Sequence, residues 1–107
     1  MNDTFDADLT SGIAAFDSKN FSMAYQLLSP LADAGNSESQ WRIGMMQMNG
    51  LGMVGNQKLA FENFMKAAKK EHPFAHHMIA VAYMSGEGVD KDINKAIDWF
   101  IKAAEYN

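Results

Sequence analysis

Three groups of residues in this 107-residue chain have types and spacings that could do chemistry. Residues 50–55, GLGMVG, fit G-x-G-x-x-G, the glycine pattern that cradles a dinucleotide pyrophosphate. They also open like a phosphate loop, which needs Lys and then Ser or Thr after its last glycine. His72 and His76 stand four apart with His77 beside them, a helical spacing that two metal ligands can share. Lys66, Lys69 and Lys70 make a small basic group.

Each group has a plainer reading. A dinucleotide site needs a strand before its glycines, yet a helical pattern precedes Gly50. A phosphate loop fails because Asn56 and Gln57 follow Gly55. Pro73 marks a helix start just after His72, and no carboxylate lies at a helpful spacing nearby, so the histidines read as surface residues. The lysines lie near a helix end, where cations offset the macrodipole. There is no S-x-x-K, no G-x-S-x-G and no carboxylate pair isolated among apolar residues. The expectation is a chain that is not an enzyme, with no cofactor and no metal site.

Composition narrows the class further. With 48% hydrophobic residues the chain can bury a core, and its length fits one domain over residues 1–107. The absence of cysteine excludes disulfides and thiolate sites. No apolar run reaches membrane-spanning length, and the acidic opening MNDTFDADLT lacks the order of a secretory signal. A cytoplasmic setting is expected, or a periplasmic one if a signal was removed. Net charge is −4, with six acids and one lysine over residues 1–40 and five bases against two acids over 41–72. That distribution does not favour a nucleic-acid backbone, and no membrane partner is expected.

The glycine loop occurs twice. GLGMVGN at 50–56 is echoed by GEGVDKD at 86–92, and the same 36-residue offset aligns 39–71 with 75–107 without a gap. Nine of those 33 pairs are identical, among them Gly50 with Gly86 and Gly52 with Gly88. A second step back finds a weaker copy, with Ala24, Leu28 and Ala32 under Ala60, Phe64 and Ala68. Asn20, Asn56 and Asp92 coincide as helix caps. Ahead of Asn20 a deletion of about four residues sets Gly12 under Gly44, and DSKN replaces the glycine loop. Apolar residues recur at i, i+3, i+4 and i+7 within each copy, and nothing alternates like a strand. Pro30 should kink the second helix. Six helices in three antiparallel pairs follow, with Gly50, Gly52, Gly86 and Gly88 as structural turns and small residues at Gly12, Gly44, Ala80, Ala24, Ala60 and Ala96 allowing close approach.

At this point the chain resembles a known family. SESQWRIGMMQMNGLGM…LAFENFMKAAKKEH and PFAHHMIAVAYMSGEGV…KAIDWFIKAAE are similar to Sel1-like repeats, relatives of the tetratricopeptide repeat. The matching elements are Ser39 and Gln40, the small Gly44 or Ala80, the G-x-G turns, and KAIDWFIKAAE at 95–105. Departures are Gln47 in place of an aromatic kept as Tyr83, Trp41 and His77 in place of tyrosine, and Glu71 in place of glycine. The resemblance implies an all-α fold, a short right-handed α-solenoid with repeats at about 8–35, 36–71 and 72–107. It also implies a non-catalytic adaptor or scaffold that binds a protein or peptide on the concave face lined by the first helix of each repeat.

On a helical wheel Ile43, Gly44 and Gln47 face the partner helix, which puts Arg42, Met45, Met46 and Asn49 on the concave side. The third copy gives Met78, Val81, Ala82 and Ser85, and the first gives Thr10, Ile13, Ala14 and Asp17. Flexible methionines suit such a surface. Two alternatives stand beside it. One is an inhibitory or immunity partner of an enzyme or toxin, using the acidic Asp3, Asp6, Asp8 and Asp17. The other is a homodimer or larger self-assembly through the C-terminal end around Trp99, Ile101 and Tyr106.

Overall fold

The computed structural model describes residues 3–106. It contains α1 (Asp3–Asp17), α2 (Phe21–Asp33), α3 (Ser37–Asn49), α4 (Gln57–Ala68), α5 (Pro73–Ser85) and α6 (Ile93–Ala104), and no strand among the described residues. Each helix packs against the one before it and the one after it. Odd-numbered helices therefore form one row of the solenoid and even-numbered helices the other. The first helix begins at Asp3, earlier than the residue 8 expected for the first copy.

The caps stand where the register placed them. Asn20, Asn56 and Asp92 accept hydrogen bonds from the backbone N–H groups of Met23, Leu59 and Lys95 at 3.3, 3.0 and 3.0 Å. Each satisfies a donor that the helix cannot pair itself, a contribution of about 1 kcal/mol. Asn36 caps α3 in the same way through Ser39, and Pro73 opens α5. Pro30 lies inside α2, yet the helix continues to Asp33 rather than breaking. It falls in the last turn, where the missing N–H leaves one carbonyl without its helical donor.

Gly50 and Gly86 end α3 and α5 in the left-handed conformation, with φ of 65° and 75°. Gly52 and Gly88 are left-handed too, and their role goes beyond turning. A Cβ on Gly52 would sit 2.7 Å from Cβ of Phe21, and one on Gly88 would overlap the Gln57 carbonyl. Phe21 and Gln57 open α2 and α4, so each glycine loop leans on the repeat before it. Where glycine is missing the chain accepts strain: Lys19 and Glu71 have φ of 66° and 59°. Glu71 occupies the register position of Gly35, which has φ of 100°.

Helix pairs meet at the small residues. A Cβ on Gly44 would lie 2.7 Å from the Phe64 ring, and one on Gly12 would overlap Leu28. Ala24, Ala60, Ala80 and Ala96 are all buried. Two apolar clusters result. The first gathers Ala15, Ala24, Leu28, Leu31, Ala32, Ile43 and Met46. The second gathers Ala60, Phe64, Ala67, Ala68, Ala75 and Ile79, with Trp41, Met45 and Met48 packed against it. The middle helix α3 thus feeds both, Ile43 and Met46 into one and its methionine–tryptophan edge onto the other. Gln40 is buried and donates from Nε2 to the Ala32 carbonyl at 3.1 Å, tying the first repeat to the second.

Gly88→Ala is expected to lose at least about 1–2 kcal/mol in urea unfolding, from the left-handed backbone alone. Gly55→Ala should be close to neutral, because a Cβ there meets nothing nearer than 3.4 Å. Glu71→Gly should gain up to about 1 kcal/mol, the relief of strain being partly offset by glycine's entropy.

Candidate protein-interaction surface

The exposed face of α5 carries Phe74, His77, Val81, Met84 and Ser85, with Phe74 60% and Met84 46% exposed. The same register on α3 holds Glu38, Trp41, Met45, Met48 and Asn49, and on α1 it holds Leu9, Ile13, Phe16 and Asp17. This face differs by about one helical position from the expected one. Met45, Asn49, Val81, Ser85, Ile13 and Asp17 lie on it. Asn49 is exposed with its amide on the Met45 carbonyl, and the Ser85 hydroxyl donates to the Val81 carbonyl. Thr10 and Ala14 are exposed at its margin.

One expected residue turns fully inward, and two others are half-buried, as Met45 and Val81 are. Met46 is completely buried in the first cluster and cannot touch a partner. Met78 is half-buried against the second cluster, and Ala82 is half-buried beside Met48, Phe61 and Phe64. The cause is the position of the helices: each first helix packs both within its own repeat and onto the repeat before. A wheel with a single buried face leaves out the second contact.

Arg42 is present at the surface but not free. Its Nη1 pairs with Asp17 at 2.9 Å and its Nε with Glu38 at 2.7 Å, while only 15% of its side chain is exposed. The guanidinium also lies over the Phe16 ring at 4.9 Å and over Trp41 at 5.7 Å. Trp41 in turn stacks on His72 at 5.4 Å and meets Phe74 at 5.3 Å. The His72 Nε2 donates to Glu38 at 3.2 Å. A continuous rail, Phe16–Arg42–Trp41–Phe74, therefore crosses all three repeats, with an ionic line Asp17–Arg42–Glu38–His72 along it.

The histidine expectation needs correction. His72 and His76 are buried, not superficial, and only His77 is exposed, with its ring against Phe100. A carboxylate does reach His72, but from Glu38 at the start of α3, 34 residues earlier, which no local spacing could reveal. The His76 Nδ1 donates to the His72 carbonyl at 2.9 Å, and its ring stacks with Tyr106 at 4.8 Å. No group of three or more His, Cys, Asp or Glu side chains among the described residues is arranged to hold an ion. Lys70 is also engaged, donating to the Gly35 carbonyl.

At the far end, Ile93, Ile97 and Ile101 form an exposed apolar stripe on α6, each about half accessible. Trp99 is half-buried against His76, and Tyr106 stacks on the same ring while staying 40% exposed. On the acidic side, Asp17 is already paired with Arg42, Asp6 is exposed and Asp8 is half-buried; the Asp3 side chain lies outside the described residues.

The spacing of caps, turns and small residues that builds this surface is that of a single repeat family. The Sel1 repeat pattern matches residues 14–36, 37–72 and 73–105. The chain belongs to the Sel1 repeat family. A general role as protein-interaction scaffold is typical of Sel1 repeats. It is 38% identical over 69 residues to chitin synthase regulatory factor 3 of Schizosaccharomyces pombe, a match covering 64% of this chain and 7% of that protein. A Sel1 repeat protein from Oxalobacter formigenes superposes with a TM-score of 0.85 at 29% identity, over 91% of this chain and 40% of that one. A protective antigen of uropathogenic Escherichia coli strains superposes with a TM-score of 0.89 at 23% identity, over 96% of this chain and 23% of that one, a likeness of fold. The chain thus spans well under half of each. No described helix is long and apolar enough to cross a membrane.

The Glu38 carboxyl is held below its ordinary value of 4.5, chiefly by the hydrogen bond from His72, with burial opposing and Arg42 assisting. A depressed carboxyl stabilises the fold above its unfolded value and loses that effect as pH falls through the folded one. Wild type should therefore be more stable than Glu38→Gln at neutral pH, and the gap should close below pH 4.5 when both are melted across an acid series.

Proposed function

We propose that this Sel1-repeat chain acts in the cytoplasm as an adaptor that binds one protein partner, in helical or extended form, along the first-helix face. The observation that carries this reading is the Phe16–Arg42–Trp41–Phe74 rail. Aromatic residues and arginine dominate the energetics of protein interfaces, since they bring large contact area with a defined polar handle. The ion pairs on either side of Arg42 hold that rail in place before a partner arrives, which lowers the ordering cost of binding. Met45, Met84 and Val81 add adaptable apolar area beside it.

Replacing Phe74 by glutamate tests the reading, because the side chain is exposed and its loss should not disturb the core. The circular-dichroism spectrum is expected to stay native while affinity for a partner recovered with the wild-type chain falls at least about tenfold. Unchanged affinity would remove the rail from the interface. Binding that instead collapses in salt with Phe74→Glu harmless would favour the acidic, inhibitory mode through residues such as Asp6.

A second reading rests on the Ile93–Ile97–Ile101 stripe, which supports self-association through α6. Sedimentation over a range of concentrations should then show a dimer that the double variant Ile97→Glu, Ile101→Glu converts to monomer. A wild-type monomer at high concentration would exclude it.

A further inference from the structure

The internal repeat supplies its own control for a site on the other side of the molecule. In the third repeat the ring of Tyr83 fills the seam between α4, α5 and α6. It meets Phe61 edge-on at 5.5 Å, and the Lys95 ammonium lies 5.6 Å from its centroid. One repeat earlier, the 36-residue register replaces these three residues by Gln47, Tyr25 and Leu59. The ring is gone, and a groove of about 400 Å³ opens there, bordered by Tyr25, Gln26, Gln47, Met53, Val54 and Leu59. Tyr25, Val54 and Leu59 are among the large apolar residues that the chain leaves exposed, Val54 at 92%.

The charge pattern changes with the ring. In the third repeat the corresponding wall carries Lys58, Glu62, Asp90, Asp92 and Lys95. In the second, the same positions are Ser22, Gln26, Val54, Asn56 and Leu59, so the groove has no charged side chain in its lining. Its occupant must match an uncharged, apolar wall with amides at the edge. Gln47 accepts from the Asn63 amide through Oε1 at 2.7 Å, which leaves its Nε2 to donate to a phenol oxygen or a backbone carbonyl.

We propose that this groove is a socket for a tyrosine side chain on an uncharged segment of a protein partner. The guest ring takes, between molecules, the place that Tyr83 fills within the chain one repeat later. The site lies on α2, α3, α4 and the glycine loop, shares no lining residue with the Phe74 face, and does not depend on that face being an interface.

The test is a nuclear magnetic resonance titration of the full chain with the blocked peptide acetyl-Gly-Tyr-Gly-amide. Saturable shifts are expected at the backbone amides of Gly52, Val54 and Leu59 and at the side-chain amide of Gln47. Acetyl-Gly-Leu-Gly-amide should bind about tenfold more weakly. Gln47→Tyr should abolish the response by filling the socket with its own ring. Should that variant fail to fold, Val54→Asp and Leu59→Lys, which restore charges of the third repeat at exposed positions, should each weaken the tyrosine peptide severalfold. Phe74→Glu should leave the titration unchanged. Equal binding of the leucine peptide, or shifts that follow protein concentration without any peptide and so place a second copy in the groove, would overturn the proposal.

Discussion

Everything in this fold depends on helices crossing with almost nothing between them. At the crossing in the second repeat, Gly44 lies directly against the Phe64 ring, and in the first Gly12 lies against Leu28. A single added methyl would meet those side chains inside van der Waals contact, in interiors packed too tightly to absorb it. The partner helices answer with alanine at 24, 60 and 96, all buried. Close approach lets one large side chain per pair, Leu28 or Phe64, fill the whole gap. That economy allows a repeat of about 36 residues to hold its place while burying little by itself, the rest of its apolar surface being covered by neighbours.

The same constraint explains why α3 differs from a simple amphipathic helix. It packs on α2 with Ile43 and Met46 and supports the second cluster with Met45 and Met48. Its polar residues are then used at the junctions. Gln40 bridges to the carbonyl of Ala32, and Arg42 spans Asp17 and Glu38 over two aromatic rings. Half-buried charges of this kind are retained when each has a partner, and here the partners come from two successive repeats. The result is a surface whose aromatic and cationic groups are held at fixed positions by their neighbours.

The glycine loops carry a second layer of meaning. Their first glycines end helices, while Gly52 and Gly88 let the loop backbone rest on the opening turn of an earlier helix. The turn is thereby part of the repeat-to-repeat contact. Where the two loops differ, in Met53 and Val54 against Val89 and Asp90, the surface beside them differs as well, apolar in one repeat and charged in the next.

Much of this was legible in the chain itself. The 36-residue offset, the caps Asn20, Asn56 and Asp92, the left-handed glycines and the small residues at the crossings are local or periodic signals, and each acts through backbone geometry or sterics that a few neighbouring residues determine. The exposed face was only half legible, because Met45 and Asn49 lie on it while Met46 does not. The period of a helix states which residues share a side, but the number of sides that neighbours cover is settled by packing. His72 shows the same limit: its partner Glu38 stands 34 residues away, and only the stacking of α3 against the start of α5 brings them within 3.2 Å. Sequence determined the repeat and its turns because those depend on short-range geometry. The tertiary structure decided which polar and aromatic groups meet, because contacts between repeats are long-range and leave no spacing in the chain to read.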